Sequence, residues 1–515
     1  MSALLPLALL VCGADDKPPP PKIPIGRETS YVTGPIDKNG LIDFEAAAND
    51  LLGKGVTPDT NANVLLWKAF GPTPEGGRGM PPEFFKRLGI AEPPKDGDYL
   101  VPLDRFMRDT LKLDPDDVQA VYDQQDRATK RPWSAKDAPR LAAWLAANEK
   151  PLALVTEAVK RPQYFNPMVS GRAEGAPSSL IGCLLPGVQK CRELAAALAA
   201  RAMLKLDAGK PDEAWADLLA CHRLGRHVAR GATLIESLVG IAIGQVAHNA
   251  TVAYIDRAGL TAKQAGDRLK EFQALPPLAP LADKLDVFER LSFIDSVQML
   301  AGGGLFGNGN KKPAAEELKA LEMIDWGSVL RKANAWYGRV AAAARTPDRA
   351  AREKEFDAID AELQALEKKT RDLDDIQKLI KNGVPNKEVG KEVGNKIGDV
   401  LIRLLMPAVR KVQGAFDRAA QVERNLQIAF ALAAYQKDTG KYPAKLADLA
   451  PKYLATVPDD VFTGKPLTYK PAEKGYLFYS VGQNGKDDEG RWHDDSPPGD
   501  DLGVRLPLPP FKPRR

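Results

Sequence analysis

The chain has 515 residues, 44% of them hydrophobic, and a net charge of +4 from interspersed acidic and basic side chains. The length suggests about three domains, and the hydrophobic content is ordinary for a chain that buries cores. No Lys/Arg stripe with interleaved aromatic residues occurs, which argues against a nucleic-acid-binding protein. Ala-rich helical runs dominate and strand-like runs are confined to the two ends, so the expected fold class is mainly α.

Residues 1–14, MSALLPLALLVCGA, have the features of an export signal. Leu4–Val11 forms a short apolar core, and Cys12 begins a small-residue stretch where a signal peptidase can cut. The run is too short to span a bilayer, which needs about 20 apolar residues. We therefore expect a periplasmic or cell-envelope protein. A lipid anchor at Cys12 and a buried N-terminal segment are the alternatives. Residues 15–24 are Pro-rich and predict an extended tether.

Residues 25–104 suggest a small mixed α+β module. A hairpin is expected there with Asp37–Gly40 as its turn, followed by short helices. Residues 105–300 predict a helical body. Within it, Gly209 at a turn, Pro211 opening a helix and Ala214 at a close approach resemble one tetratricopeptide repeat.

A long apolar stretch in the body, GATLIESLVGIAIGQVAHNATVAYIDRAG, contains several polar residues. We expect it to be a buried helix, and we expect no transmembrane span. Its His248 is expected to be a hydrogen-bonded core residue. His222 and His227 are five residues apart, about 140° around a helix, so they do not share a face.

Residues 301–315 form a glycine-rich stretch without the Gly-Lys-Ser/Thr ending of a phosphate-binding loop, and they predict a flexible connection. Residues 316–407 predict long charged helices, for which an exposed helical arm is one interpretation. Pro407 is expected to kink the helix that continues into the C-terminal region.

Four cysteines are too few for a disulfide framework in a chain of this length. Cys183 and Cys191 flank a Pro-Gly turn and can pair in an oxidising compartment. The alternatives are a pair between Cys191 and Cys221, or buried unpaired thiols.

Residues 408–505 carry the most specific pattern in the chain. A helix ending in AAYQKDTG is followed by a Tyr-Pro elbow, a Pro-Asp turn, two alternating strands and an acidic loop, and residues 506–515 form a tail. This order resembles the globular domain of the major pseudopilins of type II secretion. The positions that carry the resemblance are Tyr435, Gly440, Tyr442, Pro443, Pro458, Asp459, Gly464, Pro466, Tyr469, Tyr479, Ser480, Gly482, Asn484, Gly485, Asp500 and Asp501.

The resemblance implies a long helix packed on a small antiparallel sheet, with a calcium-binding loop after the strands. It makes Asp500 and Asp501 the best candidate ligands, and Asp487 and Ser480 further ones. The spacing is not that of an EF-hand, and a solvated acidic loop is the alternative. The helix before the module carries Arg and Lys residues, so it does not resemble the apolar filament core of a pilin.

The whole chain also resembles large exported bacterial proteins of unassigned function that join a helical body to such a module. No Gly-x-Ser-x-Gly, His-Glu-x-x-His or Cys-x-x-Cys motif occurs, so no catalytic or cofactor-binding residue is assigned. The first hypothesis is a non-catalytic envelope protein that acts as a helical interaction scaffold for protein partners, with calcium stabilising its C-terminal module. The alternatives are an exported hydrolase whose site is not visible as a motif, and an accessory component of a type II secretion or pilus-like system.

Overall fold

The computed structural model describes residues 23–75, 79–170, 179–185, 187–302, 315–369, 384–406 and 409–511. The export signal, most of the Pro-rich tether, most of the glycine-rich stretch and the predicted kink at Pro407 lie outside these residues. The described chain is mainly helical, with one three-stranded antiparallel sheet near its C-terminus. The predicted fold class is confirmed at this level.

The first half of the chain is a series of helices. They are α1 (Phe44–Leu52), α2 (Ala62–Phe70), α3 (Pro82–Leu88), α4 (Leu103–Arg105, continued by a π-helical turn over Phe106–Leu111), α5 (Pro115–Ala128), α6 (Pro139–Ala147), α7 (Glu149–Ala158), α8 (Val188–Asp207), α9 (Pro211–Ala229), α10 (Leu234–Arg257) and α11 (Ala262–Gln273). A 3₁₀ turn at Leu180–Gly182 precedes α8.

The second half adds further helices and the sheet. They are α12 (Leu281–Lys284), α13 (Arg290–Ala301), α14 (Ala315–Met323), α15 (Trp326–Arg345), α16 (Arg349–Lys369), α17 (Lys387–Leu405), α18 (Val409–Thr439), β1 (Thr468–Ala472), β2 (Gly475–Ser480) and β3 (Leu502–Leu506). A π-helical turn over Leu285–Glu289 joins α12 to α13, and a 3₁₀ turn at Leu446–Leu449 follows α18.

The N-terminal region is helical rather than mixed α+β. Within the described residues before α4, the predicted hairpin is reduced to one antiparallel bridge between Ile36 and Ile42. The turn itself is present, since the Gly40 amide donates to the Asp37 carbonyl over 3.0 Å. The strands do not extend because α1 begins two residues after the bridge, where the Asp43 carboxylate caps the Ala46 amide.

The middle of the body is built from α8, α9 and α10. The first two form the predicted helical hairpin, with Gly209 in a left-handed conformation at its turn and Ala214 fully buried. The third packs against both, and against α18. A Cβ atom on Gly240 would lie 2.5 Å from the Gly225 carbonyl oxygen, so α9 and α10 approach closely only because glycine stands there.

By length and composition, α10 is the single helix of the described chain that is long and apolar enough to cross a membrane. In the structure, 61% of its most apolar window is buried inside the protein. A core helix of a globular protein passes the same test. The position of α10 among α8, α9 and α18 therefore agrees with the expectation of a buried helix.

A second core forms around α13, α15, α16 and α17. Phe356 and Ile359 on α16 are 1% and 4% exposed, so α16 packs against the protein and does not project as an arm. Its high charge is used in ion pairs with α18, where Arg352 donates to both carboxylate oxygens of Asp417 over 2.8 and 2.7 Å. Charge along a helix thus gave a misleading indication of exposure, because the partner charges lie on a distant segment.

The C-terminal sheet has the strand order β1-β2-β3 and lies against α18. Phe478 pairs with Val504 across β2 and β3, and both side chains are buried. On its other side α18 joins the helical body, where the Phe430 ring meets the Trp215 ring edge-on at 5.4 Å. One hydrophobic core therefore continues from the body through α18 into the sheet, across the expected domain boundary at residue 408.

The predicted Cys183–Cys191 disulfide is not formed in this structure. Cys191 is a free thiol, 2% exposed, on the core side of α8. Cys221 is also free and buried on α9, and its thiol donates to the Ala195 carbonyl. These two cysteines match the alternative of buried unpaired thiols, because their helices direct both side chains into the core.

Candidate metal centre

The acidic loop joins β2 to β3 and covers residues 481–501. The end of the loop that returns to β3 is held by polar side chains of α18. The Asn425 amide donates to the Leu502 carbonyl over 2.9 Å, and Gln421 donates to Asn425 over 2.8 Å. Both side chains are almost fully buried, so the helix fixes where the loop returns to the sheet.

Four residues of the loop have a positive φ, and Gly485 with φ 69° is one of them. Gly482 has φ 67°, and a Cβ atom there would lie 2.2 Å from the Asp500 carbonyl oxygen. Gly490 has φ 78° and packs over Leu477 and Tyr479. Glu489 between them has φ 61°, a conformation that is strained for a residue with a side chain. The loop is thus folded back tightly against Asp500 at its start and against β2 near its middle.

This folding brings Asp488, Asp500 and Asp501 together. One carboxylate oxygen from each lies within 4.8 Å of the other two. Backbone amides orient the three groups, since Asp500 N donates to Asp488 Oδ2 over 3.1 Å and Gly490 N donates to Asp501 Oδ2 over 2.7 Å. Asn484 N donates to Asp500 Oδ2 over 2.9 Å.

Each of the two later carboxylates keeps one oxygen without a partner. Oδ1 of Asp500 and Oδ1 of Asp501 are buried and accept no hydrogen bond within the part of the chain that the structure describes. Asp501 is only 1% exposed. A buried carboxylate oxygen without a donor is costly, because its hydration is lost and nothing replaces it.

The pKa values of Asp501 and Asp488 are shifted in opposite directions. Burial raises the pKa of Asp501, and the neighbouring Asp488 and Asp487 carboxylates raise it further, although amide donors oppose this. The pKa of Asp488 is lowered, chiefly by the hydrogen bond from the Asp500 amide. The nearest described cation is Arg491, whose guanidinium lies 3.9 Å from Asp488.

These residues fit a hard divalent cation. Calcium takes six to eight oxygen ligands at about 2.3–2.6 Å in a flexible geometry, so three carboxylates leave positions for backbone carbonyls and water. Carboxylate ligands suit Ca²⁺, Mg²⁺ and Mn²⁺ rather than thiolate-seeking metals. A bound cation would supply the charge that the triad lacks, and it would join the start and the end of the loop.

The structure brings together two of the four predicted ligands. Asp500 and Asp501 lie in the triad. Asp487 is exposed and accepts from the Tyr479 hydroxyl over 3.0 Å, outside the triad. Ser480 is fully buried, and its hydroxyl donates to Asp460 over 2.9 Å, so it supports the fold.

The third member of the triad, Asp488, was not among the predicted ligands. It lies in the run Asp487-Asp488-Glu489, where neighbouring acidic residues look equivalent in sequence. The left-handed turn at Glu489 and Gly490 decides which of them faces Asp500. The Tyr479 hydroxyl donates to Asp487 and so holds that carboxylate outside the triad, a contact that only the fold reveals.

Comparison with family models, with curated proteins and with solved structures finds no match for this chain.

Proposed function

We propose that this chain is a non-catalytic exported protein of the cell envelope, with a helical body that acts as an interaction scaffold and a C-terminal module stabilised by calcium. The observation that carries the calcium role is the convergence of Asp488, Asp500 and Asp501 around two buried carboxylate oxygens that have no hydrogen-bond donor. Calcium would satisfy both oxygens at once and close the loop between β2 and β3.

A binding role is favoured over the hydrolase alternative by the state of the candidate nucleophiles and bases. Burial raises the pKa of the Cys191 and Cys221 thiols, which keeps them protonated and poorly reactive. Burial lowers the pKa of His222 to about 3, and its Nε2 contacts the Thr251 hydroxyl rather than a carboxylate. Neither arrangement resembles an activated nucleophile.

The scaffold role is supported by the architecture of the body. The hairpin of α8 and α9, with its left-handed Gly209 and buried Ala214, is compatible with a tetratricopeptide-like unit. The helix and three-stranded sheet at the C-terminus are compatible with a pseudopilin-like module. The position of α18 between body and sheet favours a fixed accessory domain over a filament subunit, because the body and the sheet already cover that helix on two sides.

The test is a calcium titration of the full-length protein after removal of divalent ions by a chelator. We expect saturable calcium binding by calorimetry and a rise in melting temperature. Asp500→Ala and Asp501→Ala should abolish both. Asp487→Ala is the matched control, because Asp487 is an exposed acidic residue of the same loop outside the triad. An unchanged melting temperature with calcium in the wild-type protein would reject the proposal.

A further inference from the structure

A cavity of about 290 Å³ lies between α9, α10, α11 and α18, and no residue of the acidic triad lines it. Its walls are mostly small or apolar, with Leu238, Ile241, Phe272, Val422 and Leu502 among them. Trp492, from the acidic loop, covers part of it. Cavities of roughly this size and character, at about 300 Å³ and above, are typical of small-molecule sites.

One end of the cavity is polar and almost entirely withdrawn from solvent. His222 and His248 line it, and each is 6% exposed. Burial lowers the pKa of His222 to about 3 and that of His248 to about 4, so both rings are neutral at pH 7. The sequence predicts a hydrogen-bonded His248. In the structure, its Nδ1 is buried and has no hydrogen-bond partner within the described residues.

The hydrogen bonds of Thr251 fix the tautomer of His222. The Thr251 hydroxyl donates its single hydrogen to the Ala247 carbonyl over 2.8 Å, so its oxygen accepts from His222 Nε2–H at 3.0 Å. The neutral His222 ring therefore carries its acceptor lone pair on Nδ1. The polar end thus holds two neutral imidazoles with unused hydrogen-bonding capacity.

The charged residues of the lining add to a net positive charge. Arg226 is 8% exposed, and its Nη1 lies 2.5 Å from Glu423 Oε1, which leaves further N–H donors of the guanidinium. Arg418 stands at the exposed side, donates to the Gln483 amide oxygen, and has no carboxylate partner among the described residues. Two guanidiniums against one carboxylate give +1 for the lining, which favours a monoanion over a cation.

From these observations we infer that the cavity binds a small amphipathic monocarboxylate, a short fatty acid or a molecule of that chemistry. Its carboxylate would accept from Arg226 and from a ring N–H of His248, and its chain would lie against the wall of Leu238 and Phe272. At about 30 Å³ for each water-sized group, the volume holds about ten non-hydrogen atoms. That is the size of octanoate, which we name as the probe.

The inference is independent of calcium at the triad, and the molecule offers a clean way to block the cavity. Gly244 lines it, and a Cβ atom built there meets nothing within 4 Å. Gly244→Leu therefore fills the space with little strain, and it replaces glycine in a helix by a better helix former. Gly266→Leu on α11 is the matched control, because Gly266 also has open space in front of it and does not line the cavity.

The experiment measures octanoate, 1-octanol and octylamine binding to the full-length protein by calorimetry. We expect octanoate to bind at least about tenfold more tightly than octanol, because it forms charge-assisted hydrogen bonds, and octylamine not to bind. Gly244→Leu should abolish octanoate binding without lowering the melting temperature, and Gly266→Leu should bind like wild type. Arg226→Gln should remove the preference for octanoate over octanol.

Three results would overturn the inference. They are no octanoate binding to the wild-type protein, equal binding of octanoate and octylamine, and unchanged binding to a folded Gly244→Leu variant. If Gly244→Leu lowers the melting temperature, the ranking of the three probes on the wild-type protein still decides the matter. A peptide that binds this face while octanoate does not would likewise count against a small-molecule site.

Discussion

Two buried carboxylates, Asp217 in the helical body and Asp501 in the acidic loop, have opposite surroundings. In the body, Asp217 is 2% exposed and accepts from Arg201 over 2.9 and 2.6 Å and from Lys205 over 2.7 Å. In the loop, Asp501 is 1% exposed and accepts from one backbone amide, with two further aspartates beside it. The two carboxylates are buried to the same extent. They differ in whether the protein places positively charged side chains beside them.

The comparison indicates which buried carboxylate requires a cation that the chain itself does not supply. The body compensates Asp217 with its own Arg and Lys residues, and Asp417 with Arg352 on α16 repeats that solution. The loop gathers like charges, which repel one another, and offers no side-chain cation at the two unpartnered oxygens. Four experiments test this contrast.

The largest effect is expected from Asp217→Ala. The change leaves Arg201 and Lys205 without a counter-charge, and breaking one side of a buried pair costs about 3–5 kcal/mol of unfolding free energy. Because both cations are partly exposed, the lower end of that range is expected. Urea unfolding measures it. Asp109→Ala, in a pair exposed on both sides, is the control and should cost far less, because solvent screens that pair. Equal losses in the two variants would contradict the contrast.

In the absence of calcium, Asp501→Asn should not lower the free energy of unfolding. The amide keeps an acceptor for the Gly490 amide while removing a buried charge beside Asp488 and Asp500, so stability should be unchanged or higher. With calcium at about 100 times its dissociation constant, the wild-type protein should gain about 2.7 kcal/mol and the variant nothing. Chemical unfolding with and without calcium measures both. A large loss of unfolding free energy in the calcium-free variant would show that the Asp501 charge is compensated within the protein, as that of Asp217 is.

The third experiment uses pH, which acts on the body. Burial lowers the pKa of His222 to about 3, and that of His227 and His248 to about 4. In the unfolded chain these groups titrate near 6.5. As the pH drops from about 6.5 towards 4, the unfolded state therefore binds more protons than the folded state, and the free energy of unfolding falls. Each group contributes up to about 1.4 kcal/mol per pH unit.

His227→Gln should reduce that slope, because glutamine can still donate to the Val159 carbonyl but does not titrate. His493→Gln is the control, since His493 is exposed in the loop. Unfolding free energies at several pH values between 7 and 4 measure the slope. The expectation would be contradicted if His493→Gln reduced the dependence of unfolding free energy on pH and His227→Gln did not.

The smallest effect is expected from Ser480→Ala. Its hydroxyl donates to Asp460, which also accepts from the Phe462 and Val481 amides, so the carboxylate keeps two donors. The same hydroxyl accepts from the Gly482 amide over 3.2 Å. We expect a loss of about 1–2 kcal/mol, because two buried hydrogen bonds are removed, and no change in calcium affinity. Calorimetry with calcium separates the two roles. A weakened calcium affinity would return Ser480 to the set of ligands.

Local sequence patterns predicted much of the fold. Apolar periodicity and the Gly209 turn gave the hairpin of α8 and α9, and alternation in YLFYSV gave β2. The N-terminal hairpin and the exposed arm were wrong for different reasons. The hairpin is cut short locally, because α1 begins two residues after the bridge between Ile36 and Ile42, whereas the arm depended on a contact with a distant segment. Phe356 is buried because α16 packs on α15 and α17, and no periodicity reveals that neighbour.

The candidate sites were predictable only in part. Asp500 and Asp501 are marked by the resemblance, whereas Asp488 depends on a local backbone turn. The cavity was not visible in the sequence, because His222 and His248 lie on different helices and meet only when α9 packs on α10. The glycines at that crossing were the one available signal, and they indicate close approach rather than a ligand.

The shared helix α18 has a consequence for how the protein unfolds. Its buried side chains, Leu426, Ile428 and Phe430 among them, complete the body on one side and the sheet on the other. Neither region can lose α18 without exposing an apolar face, so the region from α8 to α11 and the C-terminal sheet form a single cooperative unit. Amide exchange in β2 and in α9 should therefore report the same opening free energy, and a protease should find no stable intermediate in which one survives without the other.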